Sequence, residues 1–280
     1  MKIKGIFIHP IKSCQRIALN EAEVTPKGFV LDREFMLVDE NHKFMTQRQE
    51  SQLATIQIKI VNNNLVLSVN SAEIEPFILT PSLTGEMLEV NVWRDNTMAI
   101  DQGDEVAQWF QTALQLPTGK TCRLVQQSPE YIRPVNPKYA TQESDHVSFA
   151  DGSPFLLTNT ASLADLNQRI KVNYPEQHLE FPMIRFRPNL VIETEKPFIE
   201  DTWKRVKIGE IEFSIIKSCG RCIVITTDQT TGERNQFTEP LKTLSTFRQQ
   251  SGRIMFGQNM VPQNTGYIRM NDTVKVLENQ

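Results

Sequence analysis

The chain has 280 residues, 39% of them apolar and 22% charged, with a formal net charge of −3. That is the make-up of an ordinary globular protein, long enough for one or two domains that each bury a sizeable core. The negative balance argues against non-specific nucleic-acid binding. Four cysteines at irregular spacing exclude a disulfide framework and point to a reducing compartment. No apolar run approaches the roughly 18 residues of a membrane helix, and the N-terminus has no signal-peptide core. The expected location is the cytoplasm, with no membrane and no nucleic acid among its partners.

In chain order, residues 2–9 alternate as a first strand that ends at His9-Pro10. Ile11-Lys12-Ser13-Cys14 follows, a loop that places a cation beside a hydroxyl, read either as plain surface or as an anion contact. Strands are predicted near 19–25, 34–39 and 43–47. Arg33, next to Asp32, reads equally as an ion pair. Residues 54–61 alternate, and Asn62-Asn63 turns them into a hairpin with 65–69. Further strands are predicted near 86–93 and 97–100. A helix follows, with Val106, Trp109, Phe110 and Leu114 on one face, then a strand at 121–125.

Residues 128–148 contain Pro129, Pro134 and Pro137 and form a loop longer than a compact domain keeps without a use, an ordered flap or a linker. Strand 155–158 leads into a helix capped at Asn159-Thr160, with Ala161, Leu163, Leu166 and Ile170 on its inner face. Strands are predicted at 190–193, 203–208, 211–217 and 223–228, then a helix from Pro240, then strands near 253–261 and 273–278. Many short strands, three helices and no βα alternation predict a β-rich α+β protein, barrel-like, dividing between 101 and 120.

Ser218-Cys219-Gly220-Arg221-Cys222 lies between two predicted strands. Arg221 favours thiolate over thiol, the form that binds soft metals or attacks. A lone C-x-x-C stays open to four readings: zinc, a dithiol redox pair, an incidental turn, or one thiolate on a soft metal centre. No H-E-x-x-H, G-x-S-x-G, P-loop or G-x-G-x-x-G occurs. What remains is a polar set at strand ends: Lys12-Ser13, Arg33, Asp151, Ser153, Arg187 to Asn189, and Arg221-Cys222. Its cations and hydroxyls suit a phosphate-bearing cofactor, and one thiolate suits a soft metal on it.

These stretches, in this order, resemble the MOSC family, named for the C-terminal domain of molybdenum-cofactor sulfurase, with its N-terminal β-barrel domain. The resemblance runs through His9 to Ser13, Leu31-Asp-Arg33, Phe44 to Gln49, Ser153 to Leu157, Ala161 to Leu166, Phe186 to Leu190, Cys219 to Ile223, Thr226 to Asp228 and Glu239 to Leu244. The pattern is similar to that of mitochondrial amidoxime-reducing components and their bacterial counterparts. It implies an N-terminal β-barrel-like domain over 1–110 and a MOSC β-barrel domain with a few helices over 111–280. It also implies a molybdenum cofactor, Mo-molybdopterin, with Cys222 as metal ligand and Asp151 near the metal. The pterin and its phosphate map onto Lys12, Ser13, Arg33, Ser153, Arg187, Asn189 and Arg221. Gly220 and Gly152 stand where relatives often carry Ser and Thr.

The implied activity is reduction of small N-hydroxylated substrates to amines. Electrons are expected from a separate protein of the flavin, iron–sulfur or cytochrome b5 type. A sulfur-carrier or cofactor-delivery role is the alternative. The family's association with pyridoxal phosphate finds no recognisable Schiff-base lysine motif here.

Overall fold

A computed structural model describes all 280 residues. The first strand, Lys2–Ile8, alternates exposed and buried residues as its sequence predicts. It lies in a nine-stranded sheet. In spatial order this sheet runs Val274–Asn279, Trp203–Ile208, Ile211–Arg221, Arg253–Pro262, Phe155–Asn159, Leu190–Glu193, Lys2–Ile8 and Ile17–Leu19, with Gln249–Gln250 added beside Arg253–Pro262. The Val274 amide donates to Met1 and the Ile3 amide to Asp272, so the two sides of the sheet meet and it curls into a barrel. Inside sit 19 buried apolar residues. Phe155 is at their centre, edge-on to Phe29 at 4.8 Å and to Phe213 at 5.2 Å.

The other barrel-like unit stacks smaller sheets. Phe35–Asp39, Cys122–Gln127, Asp95–Asp101 and Met87–Val92 form one; Gln57–Val61, Asn64–Ser68 and Phe77–Leu79 form another. Helix Asp104–Ala113 buries Val106 and Phe110 with Leu37, Leu53, Leu67 and Leu124. Glu21–Thr25 pairs with Gly266–Arg269 and Gly28–Phe29, and their Ala22, Val24, Phe29 and Ile268 add to the barrel's core. Hydrogen bonding crosses the 110/111 division in four strand pairs, among them Glu21–Thr25 with Gly266–Arg269 and Asp95–Asp101 with Cys122–Gln127. Lys2–Ile8 pairs with Leu190–Glu193, and Cys122–Gln127 pairs with Phe35–Asp39.

The β-rich α+β class holds, with three corrections in detail. A βαβ unit is present: Phe155–Asn159 and Leu190–Glu193 are parallel neighbours, and the chain between them carries helix Thr160–Asn173. A parallel pair requires such a long crossover. The β-branched run at 223–228 is not a strand but a single 3-10 turn, Ile223–Thr226. Its Ile225 is drawn into a core with Leu166, Phe186 and Leu244, which overrides local propensity. Residues 43–47 make only isolated bridges, Phe44 with Val38 and Lys43 with Asn91.

Loop 128–148 is an ordered flap. The Val135 amide donates to Asp145 and the Val147 amide to Arg133. The buried Arg133 donates to the Ser148 and Ala150 carbonyls at 2.9 and 2.7 Å. It also pairs with Asp95 at 2.7 Å. No helix is long and apolar enough to cross a membrane.

Candidate functional site

Where Leu190–Glu193 enters the barrel, two arginines stand in left-handed backbone, Arg33 at φ 54° and Arg187 at φ 55°. Non-glycine residues adopt this conformation only where the surroundings impose it, and such residues cluster at sites. Between them lies Asp32, 1% exposed. Its carboxylate pairs with Arg33 and accepts from the His9 amide at 2.7 Å and from Asn189 Nδ2 at 2.9 Å. Burial alone would raise this carboxyl, but Arg33 and the bonds from His9 bring it down to about 2. The His9 ring is held well below its usual range by burial and by Arg33 and Arg187, so it is neutral.

Arg33 also donates to Asn189 Oδ1 at 3.2 Å and to the Arg187 carbonyl at 3.1 Å. Arg187 Nη1 donates to the Cys14 carbonyl at 2.8 Å and to Gln229 Oε1 at 3.2 Å. Ser13, at φ 71°, presents its carbonyl to Gln47 Nε2 at 2.6 Å. Gln47 and Gln229 pair amide to amide at 3.1 Å, which ties the Ser13 loop to Arg187. Burial, reinforced by Arg33, lowers Arg187 to about 9, and it remains a cation at neutral pH.

Next to this network Lys12, 5% exposed, donates to the Phe149 carbonyl at 2.7 Å and forms an ion pair with Asp151. Burial lowers the ammonium to about 8 against the pull of Asp151. Arg48 reaches the other Asp151 oxygen at 3.2 Å and lies over the Trp93 ring at 4.6 Å. Burial would raise the Asp151 carboxyl; Lys12 and Arg48 hold it well below the usual carboxylate range. Its side chain is 53% exposed, so water screens these pairs and their geometry matters more than their energy.

Cys219 and Cys222 are both partly exposed and free. Cys219 lies within strand Ile211–Arg221, and Cys222 is the residue before the 3-10 turn. Arg221, the expected thiolate partner, donates Nη1 to Cys219 Sγ at 3.0 Å and Nη2 to the Phe186 carbonyl at 2.7 Å. Arg48 lies close enough to Cys222 for the two charges to act on each other. No cluster of three His, Cys, Asp or Glu side chains is built to hold a bare ion, so a zinc site has no ligand set.

The structure thus joins Arg33, Arg187 and Asn189 directly, the Lys12–Asp151 pair through Phe149, whose amide donates to the Arg33 carbonyl at 2.9 Å, and Ser13 through Gln47 and Gln229. Arg221 joins through the Phe186 carbonyl, next to Arg187. Cys222 faces Arg48. Ser153 Oγ is buried beside Asp151 without a hydrogen-bond partner, as are Arg187 Nη2 and Arg221 Nε. Three groups escaped the sequence reading. Asp32 was read only as a partner for Arg33 and is the hub. Gln229 lies in a stretch with no motif. Arg48 sits in the Phe44 to Gln49 stretch, where a basic residue between two glutamines was the available signal.

Known proteins carry the same plan. Residues 1–117 match the MOSC N-terminal beta barrel domain and residues 144–275 the MOSC domain. Mitochondrial amidoxime-reducing component 1 of Mus musculus is 33% identical over 98% of this chain and 82% of its own length. Its Homo sapiens counterpart is 32% identical over the same shares. Molybdenum cofactor sulfurase of Danio rerio is 34% identical over 94% of this chain, but the match spans only 32% of that protein. With both domains present and full-length relatives above 30% identity, the chain belongs to the MOSC family.

Proposed function

We propose that this protein is a molybdenum-cofactor-dependent oxidoreductase that reduces N-hydroxylated compounds such as amidoximes or hydroxylamines to amines, with electrons from a separate donor protein. The carrying observation is that three of the residues expected to hold the cofactor each bury a polar group without a partner, Arg187 Nη2, Arg221 Nε and Ser153 Oγ, while Cys222, next to Arg221, is a partly exposed free thiol. A buried donor left unpaired is costly, so these are aimed at acceptor oxygens the chain does not itself supply. A pterin with its phosphate fits them, and Cys222 fits as the single thiolate ligand of its metal. The relatives named for amidoxime reduction, which match over nearly the whole chain, support the same reading.

In this reading Arg187, Arg221, Ser13 and Ser153 hold the cofactor. Arg33 and Asn189, whose groups are already engaged with Asp32 and the barrel, hold Arg187 in place. When bound, the molybdenum supplies the two-electron oxygen-removing chemistry. Asp151 is ionised at neutral pH, so it orients rather than donates. The proton at hand is held on Lys12 Nζ, in contact with Asp151.

Elemental analysis of protein made in a cofactor-competent host should find molybdenum near one per chain. Arg187→Ala should lower that occupancy on the order of ten- to a hundred-fold in affinity, as expected for a lost charge-assisted contact. Full occupancy without Arg187 would remove the cofactor from this site. The match to a molybdenum cofactor sulfurase favours a second reading, a sulfur-carrier or cofactor-delivery module. A persulfide on the protein with no stoichiometric molybdenum would establish that instead.

A further inference from the structure

Strand Ile211–Arg221 pairs with Arg253–Pro262 through two irregularities, between Ile215 and Lys217 and between Ser218 and Gly220. Such bulges re-aim side chains beside active sites. Here the first leaves Lys217 half-buried over the Asp151-Gly152 turn: a Cβ added to Gly152 would lie 3.9 Å from Lys217 Nζ. The flap covers the ammonium from outside, with the Tyr139 ring centroid 3.9 Å away.

Lys217, like Arg187 and Arg221 but unlike three other cations of the site, has no carboxylate counter-ion. Lys12 has Asp151, Arg33 has Asp32 and Arg48 has Asp151. The charges that act on Lys217 are those of Tyr139, Cys219 and a second cation, Arg253, and no carboxylate is among them. Arg253 comes from the paired strand, and its side chain lies 3.3 Å from where a Gly220 Cβ would be. The like charges of Lys217 and the exposed Arg253 act on each other, and they repel unless a guest of opposite charge joins them. Both flank Cys219-Gly220, one turn of chain from Cys222.

We propose that Lys217, roofed by Tyr139, and Arg253 on the paired strand form an anion subsite at the mouth of the site that takes a carboxylate or phosphate on the substrate. The proposal rests on the reductase reading for what the substrate is, and on the geometry alone for the subsite. It makes the preferred substrate an N-hydroxylated compound carrying an anionic group a short distance from the N–OH. Gly152 and Gly220 then matter by being small, because each leaves the approach to one of the two cations open.

Two measurements test it on cofactor-loaded protein. At low salt, kcat/KM for 4-carboxybenzamidoxime should exceed that for benzamidoxime by about three- to tenfold, a range set by the partial exposure of the cations. Lys217→Met and Arg253→Gln should each bring that ratio toward one. Separately, millimolar benzoate or inorganic phosphate should slow acylation of Lys217, read by peptide mass spectrometry, while neutral benzamide should not; Arg253→Gln should weaken the protection. Protection without turnover of either amidoxime would sink the reductase reading and uphold the subsite. Equal kcat/KM values together with no protection would overturn the subsite. Protection by an acidic electron-donor protein but not by the small anions would also overturn it, assigning the two cations to protein docking.

Discussion

Asp32 concentrates more of the site's order than any other side chain. Its two oxygens bind the His9 amide, Asn189 and Arg33 while almost wholly buried. Removing one partner of a buried charge pair typically costs about 3–5 kcal/mol, because the other charge is stranded. Asp32→Ala should therefore lower the thermal midpoint and loosen Arg33 and Arg187 together. Its pH signature has a definite sign. The folded carboxyl sits near 2 against an ordinary 3.8, so its stabilisation is complete above about pH 4 and is lost as pH falls toward 2. The full contribution is about 2 kcal/mol. Acid titration of stability should steepen in that window in the wild type and flatten in Asp32→Asn.

The thiols offer a second residue-scale contrast. Cys222→Ser should abolish molybdenum-dependent activity, since a hydroxyl is a poor soft-metal ligand, while Cys219→Ser should be much milder. Equal loss in both, with a disulfide in the active protein, would favour dithiol chemistry. In the sequence Arg221 lies between the two thiols and favours the thiolate of either. Strand geometry turns its guanidinium to Cys219, and Arg48, far away in sequence, takes its place. Which thiol it meets is decided by the strand, where neighbouring side chains point to opposite faces and those two apart share one.

Among the elements, Asn159 shows how a legible signal carries more than its local meaning. The sequence marks it as a helix cap, and its side chain does accept from the Ala161 amide at 3.0 Å. Its Nδ2 also donates to Glu200 at 2.9 Å and Thr194 at 2.7 Å, locking the crossover helix to the connection after Leu190–Glu193. Asn159→Ala should thus cost more than a simple cap, about 2 kcal/mol or above, measured by denaturant midpoint. Gly257 gives the strand counterpart. It stands at φ +81°, and an added Cβ would come 2.7 Å from the Leu157 carbonyl. Gly257→Ala should destabilise by about 2 kcal/mol or more, because both backbone strain and the clash oppose it. The alternating strands and amphipathic helices could be read from local periodicity. The parallel pairing and the 3-10 turn at Ile223–Thr226 could not, because contacts distant in sequence decide them.

For the whole molecule, the proposed chemistry needs two electrons from outside. No G-x-G-x-x-G and no iron–sulfur cysteine set occurs in the chain. Purified protein with NADH alone should not turn over an amidoxime. A reduced viologen, or a flavin or iron–sulfur partner, should restore turnover, and partner-driven rates should fall with salt where charge steers docking. Turnover with NADH by the isolated chain would reveal a nucleotide site that the fold does not advertise.

The barrel closes through the Val274 amide donating to Met1 and the Ile3 amide donating to Asp272. A ribosome therefore makes one wall of the barrel first, and its neighbour follows only about 270 residues later. During that interval Lys2–Ile8, whose Ile3, Ile6 and Ile8 belong to the core, has no completed sheet to enter. Pairings of such long reach close slowly, and their unpaired edges are exposed meanwhile. The nascent chain should accordingly be a client for holdase chaperones, and emergence of Val274–Asn279, rather than synthesis of the N-terminal half, should set when the barrel becomes protease-resistant.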